Sequence, residues 1–322
     1  MRGEFFAVGK PQFLQACRRG MNPAIALLVM ARGTIGDNVT TSWSALAIFN
    51  HSGMARRRAQ KAITDLVDAG LVKVIKKGTK PCYKLKKPKD DGQLIWLPNT
   101  IIDGAGKEIP PITKLRESGN KDLLQKFIEL YFEQDLESDG GIPRSIAWST
   151  YSRTVIGPVG PFTLYGFDHE STMSCTTGPL EEFRGHEDED GNKSAWTILN
   201  PLRAMGLLQH VLYMAESPDQ ESELIYPITP ETDKATESLL CWLEEKEAHG
   251  FTTKAAEFDH HGIAMHHIKK ATLVGFLRLT YRPKTSKTSR WWARERQQEE
   301  AMVGLVNHIC FREEVRKCAH QG

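Results

Sequence analysis

The stretch from Thr40 to Lys89 leaves the least freedom in how this chain can fold, because it reads as helix, tight turn, basic helix and basic hairpin in immediate succession. Ser42 to Asn50 starts behind a Thr-Thr-Ser cap signal and places Leu46 and Phe49 at helical spacing, and the His51-Ser52-Gly53 step breaks it. From Met54 to Ala69 the apolar residues Ala59, Ile63, Leu66 and Val67 recur every three or four positions, so one side of a second helix packs inward. The free side carries Arg57, Arg58, Lys61 and Thr64; Arg56 falls nearer the apolar side but, in the first turn, can still swing toward a phosphate. Gly70 suits a helix stop, and Leu71 to Lys77 and Pro81 to Lys86 flank a Gly78-Thr79-Lys80 turn, which predicts a hairpin with Lys73, Lys76, Lys77 and Lys80 along it.

Charge is concentrated on the same stretch. Met54 to Lys89 holds three arginines and nine lysines against Asp65 and Asp68, a net of +10 in a chain whose formal total is +2. Positive charge gathered on one small unit is the electrostatic footprint of a polyanion site, and a helix is of a size that the DNA major groove admits. The alternative is a unit used for protein contacts, its lysines a solvated face.

Helix, turn, Arg-rich helix, the run Asp65 to Val72 and a Lys-rich hairpin together resemble the winged helix-turn-helix domains of bacterial transcription regulators. Leu66, Gly70, Leu71 and Val72 match the way those domains leave the recognition helix and enter the wing, and Asn22 to Thr34 would supply the first helix. The resemblance implies that Met54 to Lys61 face the major groove and that Lys76 to Lys80 touch backbone phosphate or the minor groove. It makes Arg56, Arg57, Arg58, Lys61, Thr64, Lys73, Lys76, Lys77 and Lys80 the candidate DNA-binding residues.

At 322 residues the chain exceeds the usual single-domain size, and its 40% hydrophobic content suits ordinary globular units. The longest apolar run, Ala24 to Ala31, is too short to span a bilayer, and the start MRGEFFAVGK shows no cleavable signal. Six cysteines without a Cys-x-x-Cys pair argue against a zinc ribbon and fit reduced thiols, so a cytoplasmic protein is expected.

Residues 91–120, punctuated by Gly and Pro, read as a linker after a first domain spanning 1–90. Lys121 to Leu136 is a strongly amphipathic core helix. Leu202 to Leu208 aligns without a gap on Leu66 to Val72, each a helix end followed by Gly-Leu and a strand, which predicts a second winged-helix-like domain with an insertion over 121–230. Ile142 to Tyr151 would be its second helix, and Thr154 to Gly166 looks like strands and turns. Residues 231–322 are expected to form a C-terminal helical basic region. The fold class is therefore α+β, mainly helical, with tandem winged helix-turn-helix domains.

Several motifs weigh less. His186 to Asn192 has the alternate acidic spacing of a calcium loop but lacks its glycine and its final glutamate, and reads as a solvated acidic loop. His260, His261, His266 and His267 beside Asp259 lack the spacing of a zinc site and read as surface or packing residues, so no metal or other cofactor is expected. Arg282 to Arg296 interleaves basic residues with Trp291 and Trp292, which suits either nucleic-acid backbone contacts or a helix anchored to a core. Val303, Val306, Ile309 and Cys310 stripe a helix over Gln297 to Lys317, as core or as a dimer seam. No phosphate-binding glycine loop, nucleophile elbow or paired-carboxylate site accompanies these, so binding is expected and not catalysis. The reading is a sequence-specific double-stranded DNA-binding protein, a transcription regulator acting as a homodimer. A plasmid or phage replication initiator and an assembly protein contacting partner proteins stand as alternatives.

Overall fold

The computed structural model describes residues 4–135, 141–183, 195–246, 250–282 and 285–320. The chain divides into two compact units, one of Met1–Gln134, Glu187–Gln209 and Leu279–Thr285, the other of Asp135–His186, His210–Arg278 and Ser286–Gly322.

The first unit opens with β1 (Phe5–Gly9), α1 (Lys10–Arg19) and α2 (Met21–Arg32), followed by β2 (Thr40–Thr41), α3 (Ala45–Ser52), α4 (Arg56–Asp68), β3 (Val72–Lys76) and β4 (Cys82–Leu85). Strands β2, β4 and β3 form a three-stranded antiparallel sheet in that order. Helix α2 is apolar all round, and Pro23 to Ala31 are all buried, so it forms the centre of this unit. In α4 the buried face is Ala59, Ala62, Ile63 and Leu66, which matches a helical stripe. Helix α3 turns a different face inward from the one its spacing suggests: Ile48 and Ser52 are buried, while Leu46 and Phe49 are 47% and 42% exposed. The turn between α3 and α4 uses Gly53 in the left-handed region at φ 67°, where a glycine costs least.

Residues 91–120, expected as a linker, are part of this unit. Strand β5 (Leu94–Pro98) pairs antiparallel with β1, from Phe5 opposite Pro98 to Gly9 opposite Leu94. Then come α5 (Thr100–Asp103), α6 (Pro111–Glu117) and α7 (Lys121–Glu133), with Ile95, Leu97, Ile101, Ile102, Ile112 and Leu115 fully buried. Gly and Pro in this segment mark turns between short elements, not a spacer. Asn120 caps α7, its side-chain oxygen accepting from the backbone N–H groups of Asp122 and Leu123.

The rest of the chain overturns the tandem, mainly helical arrangement. Strands β6 (Ala147–Val159) and β7 (Phe162–Cys175) form a long hairpin in place of the helix expected over Ile142 to Tyr151. After α8 (Trp196–Ala204) come β8 (Leu208–Ala215), β9 (Leu224–Ile228), α9 (Pro230–Glu245), α10 (Phe251–Ala255), β10 (His260–Met265), β11 (Thr272–Leu279) and α11 (Ser286–His320). The strands make one six-stranded sheet in the order β10-β7-β6-β11-β8-β9. The segment 231–322 thus contributes two strands as well as helices, and β8 and β9 are sheet strands, not a second wing.

The repeat that suggests a second wing is real but local. Helices α4 and α8 end in the same Schellman motif: Leu71 N–H donates to Leu66 O and Gly70 N–H to Val67 O, at 2.9 Å each, while Leu207 N–H donates to Leu202 O at 2.9 Å and Gly206 N–H to Arg203 O at 2.8 Å. Gly70 and Gly206 both sit in the left-handed region, at φ 67° and 72°, and Leu66, Leu71, Leu202 and Leu207 are fully buried, the hydrophobic clasp that accompanies this cap. The heptamer alignment therefore reports one way of stopping a helix. It says nothing about which sheet the next strand joins.

The second unit buries both faces of its sheet. On one side Leu164, Phe167, Met214 and Leu273 pack with Leu239 and Leu243 of α9 and Met302 and Val306 of α11. On the other, Trp148, Tyr213, Val274 and Phe276 form a smaller cluster. The apolar stripe of α11 is thus core, not a free seam. Gly275 on β11 lies opposite Ser149 on β6 and beneath His210 of β8, whose Nε2 reaches across to within 2.9 Å of Ser149 Oγ. A Cβ at Gly275 would lie 2.3 Å from that Nε2. Gly275→Ala should therefore displace the ring, break its bond to Ser149 and destabilise this unit by about 1 to 3 kcal/mol. Urea denaturation of G275A and of G275A/H210A tests this: the second change should restore part of the loss, and an unchanged midpoint in G275A would sink the account.

Candidate nucleic-acid interface

The candidate residues all lie in the first unit, on α4 and on the β3–β4 hairpin that follows it. Arg56, Arg57, Arg58, Lys61 and Thr64 are all exposed on α4, and Lys73, Lys76, Lys77 and Lys80 are all exposed on β3 and the turn after it. Arg57, Lys61 and Thr64 recur at helical spacing, so they share one line along α4. The Thr64 hydroxyl donates to Gln60 O at 3.2 Å, which turns its oxygen back toward the helix. Arg56 stands over the ring of Phe49 with its guanidinium carbon 5.6 Å from the centroid, so this arginine and the exposed α3 aromatic hold each other at the surface.

The first turn of α4 is built against its own stability. Ala55 at the N-cap offers no side-chain hydrogen bond, and no acidic residue stands in the first turn. Three arginines occupy it instead. Free backbone N–H groups and the positive end of the helix dipole disfavour cations there, each by about 0.3 to 1 kcal/mol, and an anion removes both defects at once. Ala55→Asp should consequently act with opposite signs. A capping carboxylate should stabilise the free protein by about 0.5 to 2 kcal/mol while weakening its hold on a polyanion. A rise in both melting temperature and duplex affinity would refute this view of the turn.

The hairpin shows a similar tension. Its register places Lys73 directly opposite Lys84, with Val72 opposite Leu85 and a bulge between Val74 and Lys76. Like charges facing each other across a strand pair are destabilising, and both side chains are exposed. Gly78 at φ 117° allows the turn that carries Lys77 and Lys80. Lys84 and Gln60 are also exposed on these elements and are absent from the candidates read from the sequence. Lys84 needs the cross-strand register, and Gln60 needs only its place three residues after Arg57, on the exposed side.

Helix α6 buttresses the turn from behind. Arg116 Nε donates to Ser52 O at 2.5 Å and Thr113 Oγ1 to His51 O at 3.3 Å, satisfying carbonyls that the end of α3 leaves open. Arg32 ties α2 to α5 through two bonds to Asp103 Oδ2, at 2.6 and 2.9 Å. Trp43 stacks on His51 at 4.4 Å between ring centroids. The segment expected as a linker thus holds the C-terminal end of α3.

The histidines at 260–267 lie on and after β10. His261 Nε2 is 3.1 Å from Ala255 O, and His266 lies between Thr163 Oγ1 and Gly160 O at 3.2 Å each. Burial holds the imidazole of His260 below its ordinary pKa, with nearby Asp233 opposing. Among the described residues no group of three or more His, Cys, Asp or Glu is placed to hold a metal ion. The acidic loop at 186–192 lies outside the described residues.

Along the chain, α3, a short turn and α4 are followed by a basic β-hairpin, β3–β4. Comparison of the chain with protein-family models, with curated proteins and with solved structures finds no match in any of the three. No helix among the described residues is long and apolar enough to cross a membrane.

Proposed function

We propose that this chain is a sequence-specific double-stranded DNA-binding protein of the transcription-regulator kind, with α4 in the major groove and the β3–β4 hairpin on the phosphate backbone. The first turn of α4 carries the reading: three exposed arginines on an uncapped helix N-terminus leave a local electrostatic defect that a phosphate backbone relieves. Of the residues exposed on α4, Arg57, Gln60 and Lys61 carry side chains that can reach base edges, arginine and lysine toward guanine and glutamine toward adenine, while the Thr64 hydroxyl is engaged by Gln60 O. Lys73, Lys76, Lys77, Lys80 and Lys84 supply charge without sequence information. The homodimer belongs to the same proposal, since two copies would read two half-sites about one helical turn apart. Its test is the stoichiometry of the protein–duplex complex by sedimentation.

Duplex binding measured by anisotropy across a salt series tests the central claim. Affinity should fall linearly on a log–log scale, and neutralising Lys76, Lys77 and Lys80 should weaken all sequences alike and flatten the slope by up to about 0.9 for each phosphate no longer neutralised. A changed sequence preference at unaltered slope would put the hairpin on the bases. Absence of salt-dependent duplex binding would leave the surface to a protein partner.

A further inference from the structure

The second unit holds an apolar cavity where the two edges of its sheet meet. Strands β10 and β9 end the six-stranded order on opposite sides, yet the Tyr226 hydroxyl of β9 donates to Ile263 O of β10 at 3.2 Å and accepts from Ile263 N–H at 2.7 Å. A Cβ at Gly262 of β10 would lie 2.6 Å from Met214 Sδ on β8, four places away in the sheet. The sheet therefore curls toward a barrel whose last two strands are joined by a side chain in place of a backbone ladder. Beside that join lies a space of about 400 Å³, walled by Ile225 and Tyr226 of β9, Ile263 and Met265 of β10, and Met302 and Leu305 of α11.

Size, lining and edge chemistry together choose the occupant. An apolar cavity of about 150 Å³ is enough for benzene, and small-molecule sites run from about 300 to 1,000 Å³. Among the described residues no Asp, Glu, Lys, Arg or His lines this one, so a charged group would lose its water there without gaining a counter-charge. The Tyr226 hydroxyl is already engaged, and the other polar side chains of the lining are Gln297 and Gln298 of α11, whose amides have no hydrogen-bond partner among the described residues. An added peptide strand is ruled out as well. It would need the outward backbone groups of β10, where Ile263 N–H and O are held by Tyr226 and Met265 O accepts from Ile268 N–H at 3.0 Å. Met265 and Met302 are unbranched and polarizable, which lets the walls adapt to a small guest.

We propose that this cavity binds a small uncharged molecule with an apolar body and an amide or carbonyl head. The body lies against Met265, Met302 and Leu305, and the head meets the side-chain amides of Gln297, which is exposed, and Gln298. An amide head matches them because a glutamine side chain both donates and accepts. Every residue of the lining belongs to the second unit, and the candidate duplex surface belongs to the first, so the two sites can be tested separately.

Fluorescence titration of the full chain with the neutral probe N-phenyl-1-naphthylamine, and its displacement by octanamide, octanoate and octylamine at neutral pH, tests the assignment. The probe should bind saturably, and octanamide should displace it at a concentration about tenfold below that needed for octanoate or protonated octylamine, since both charged heads lose hydration without compensation. Ala301→Trp, at an exposed position of α11 that lines the cavity, should fill the space and abolish saturable binding while leaving the urea midpoint unchanged. Met265→Asp, at a position 43% exposed, should weaken octanamide and make protonated octylamine a better ligand than octanoate, because the new carboxylate attracts one head and repels the other. Equal displacement by the three octyl compounds would mean an adventitious apolar surface and would overturn the proposal. So would the absence of saturable probe binding, or a folded A301W protein that binds the probe as before. A dimer in sedimentation that the probe dissociates would give the cavity to a second copy of the chain, and would overturn it too.

Discussion

Replacing Arg57 and Lys61 together with alanine is expected to weaken binding to a specific duplex by about 2 to 6 kcal/mol, since each good base or phosphate contact contributes about 1 to 3 kcal/mol. Both side chains are exposed on α4 and neither belongs to its buried face of Ala59, Ala62, Ile63 and Leu66. Alanine is the best helix former, and removing cations near a helix N-terminus relieves repulsion, so the folded protein should be as stable as before or slightly more so. Weakened binding can then not be blamed on unfolding. Gel-shift and anisotropy titrations on the double variant, with its urea midpoint measured alongside, separate the two effects. Undiminished affinity in a folded R57A/K61A protein would remove α4 from the interface and with it the proposed function.

Arg278→Ala is expected to cost the second unit about 3 to 5 kcal/mol, because it leaves the Glu295 carboxylate buried beside Tyr213 without its cation. Arg278 is nearly inaccessible and bonds both Glu295 Oε1 and the Tyr213 hydroxyl, while its guanidinium lies over Trp291. Burial pushes the Tyr213 hydroxyl well above its ordinary pKa, with Arg278 opposing, so Tyr213 stays a neutral donor to the carboxylate. A buried pair is easily broken and easily replaced. Arg278→Met/Glu295→Met, which removes both charges at similar volume, should recover much of the loss. Urea unfolding of the two variants decides this: a single variant no worse than the double would mean that the pair contributes nothing specific.

Much of the helix-turn-helix and its hairpin is legible in the sequence, for reasons that are local. The stripe Ala59, Ile63, Leu66 repeats at helical period, Gly53 and Gly70 stop two helices, and Gly78 turns a hairpin whose strands are neighbours in sequence. Exposure of the arginines and lysines follows from that stripe. Leu46 and Phe49 mislead because helical spacing identifies a face without saying that the core lies behind it, and here Ile48 takes that place.

The second unit is hidden in the sequence for the opposite reason. Thr272 to Leu279 is buried at every position, Thr272 and Arg278 included, so β11 has no alternation of apolar and polar residues to announce a strand. Ala147 to Val159 has exposed residues in its middle and two bulges against β7, which break the period of two. The Schellman caps of α4 and α8 look alike because the same short-range bonds stop both helices.

By itself the sequence determined how α4 and α8 stop, which residues turn the β3–β4 hairpin, and how positive charge is gathered on Met54 to Lys89. Tertiary structure alone decided that β5 returns to β1, that β11 enters between β6 and β8, and that Arg278, Glu295 and Tyr213 meet. Capping, turn geometry and helical period depend on residues a few positions apart and leave their mark in the order of residue types. Strand order and buried ion pairs depend on residues far apart in the chain, whose meeting is selected by the burial of whole faces and not by any local pattern.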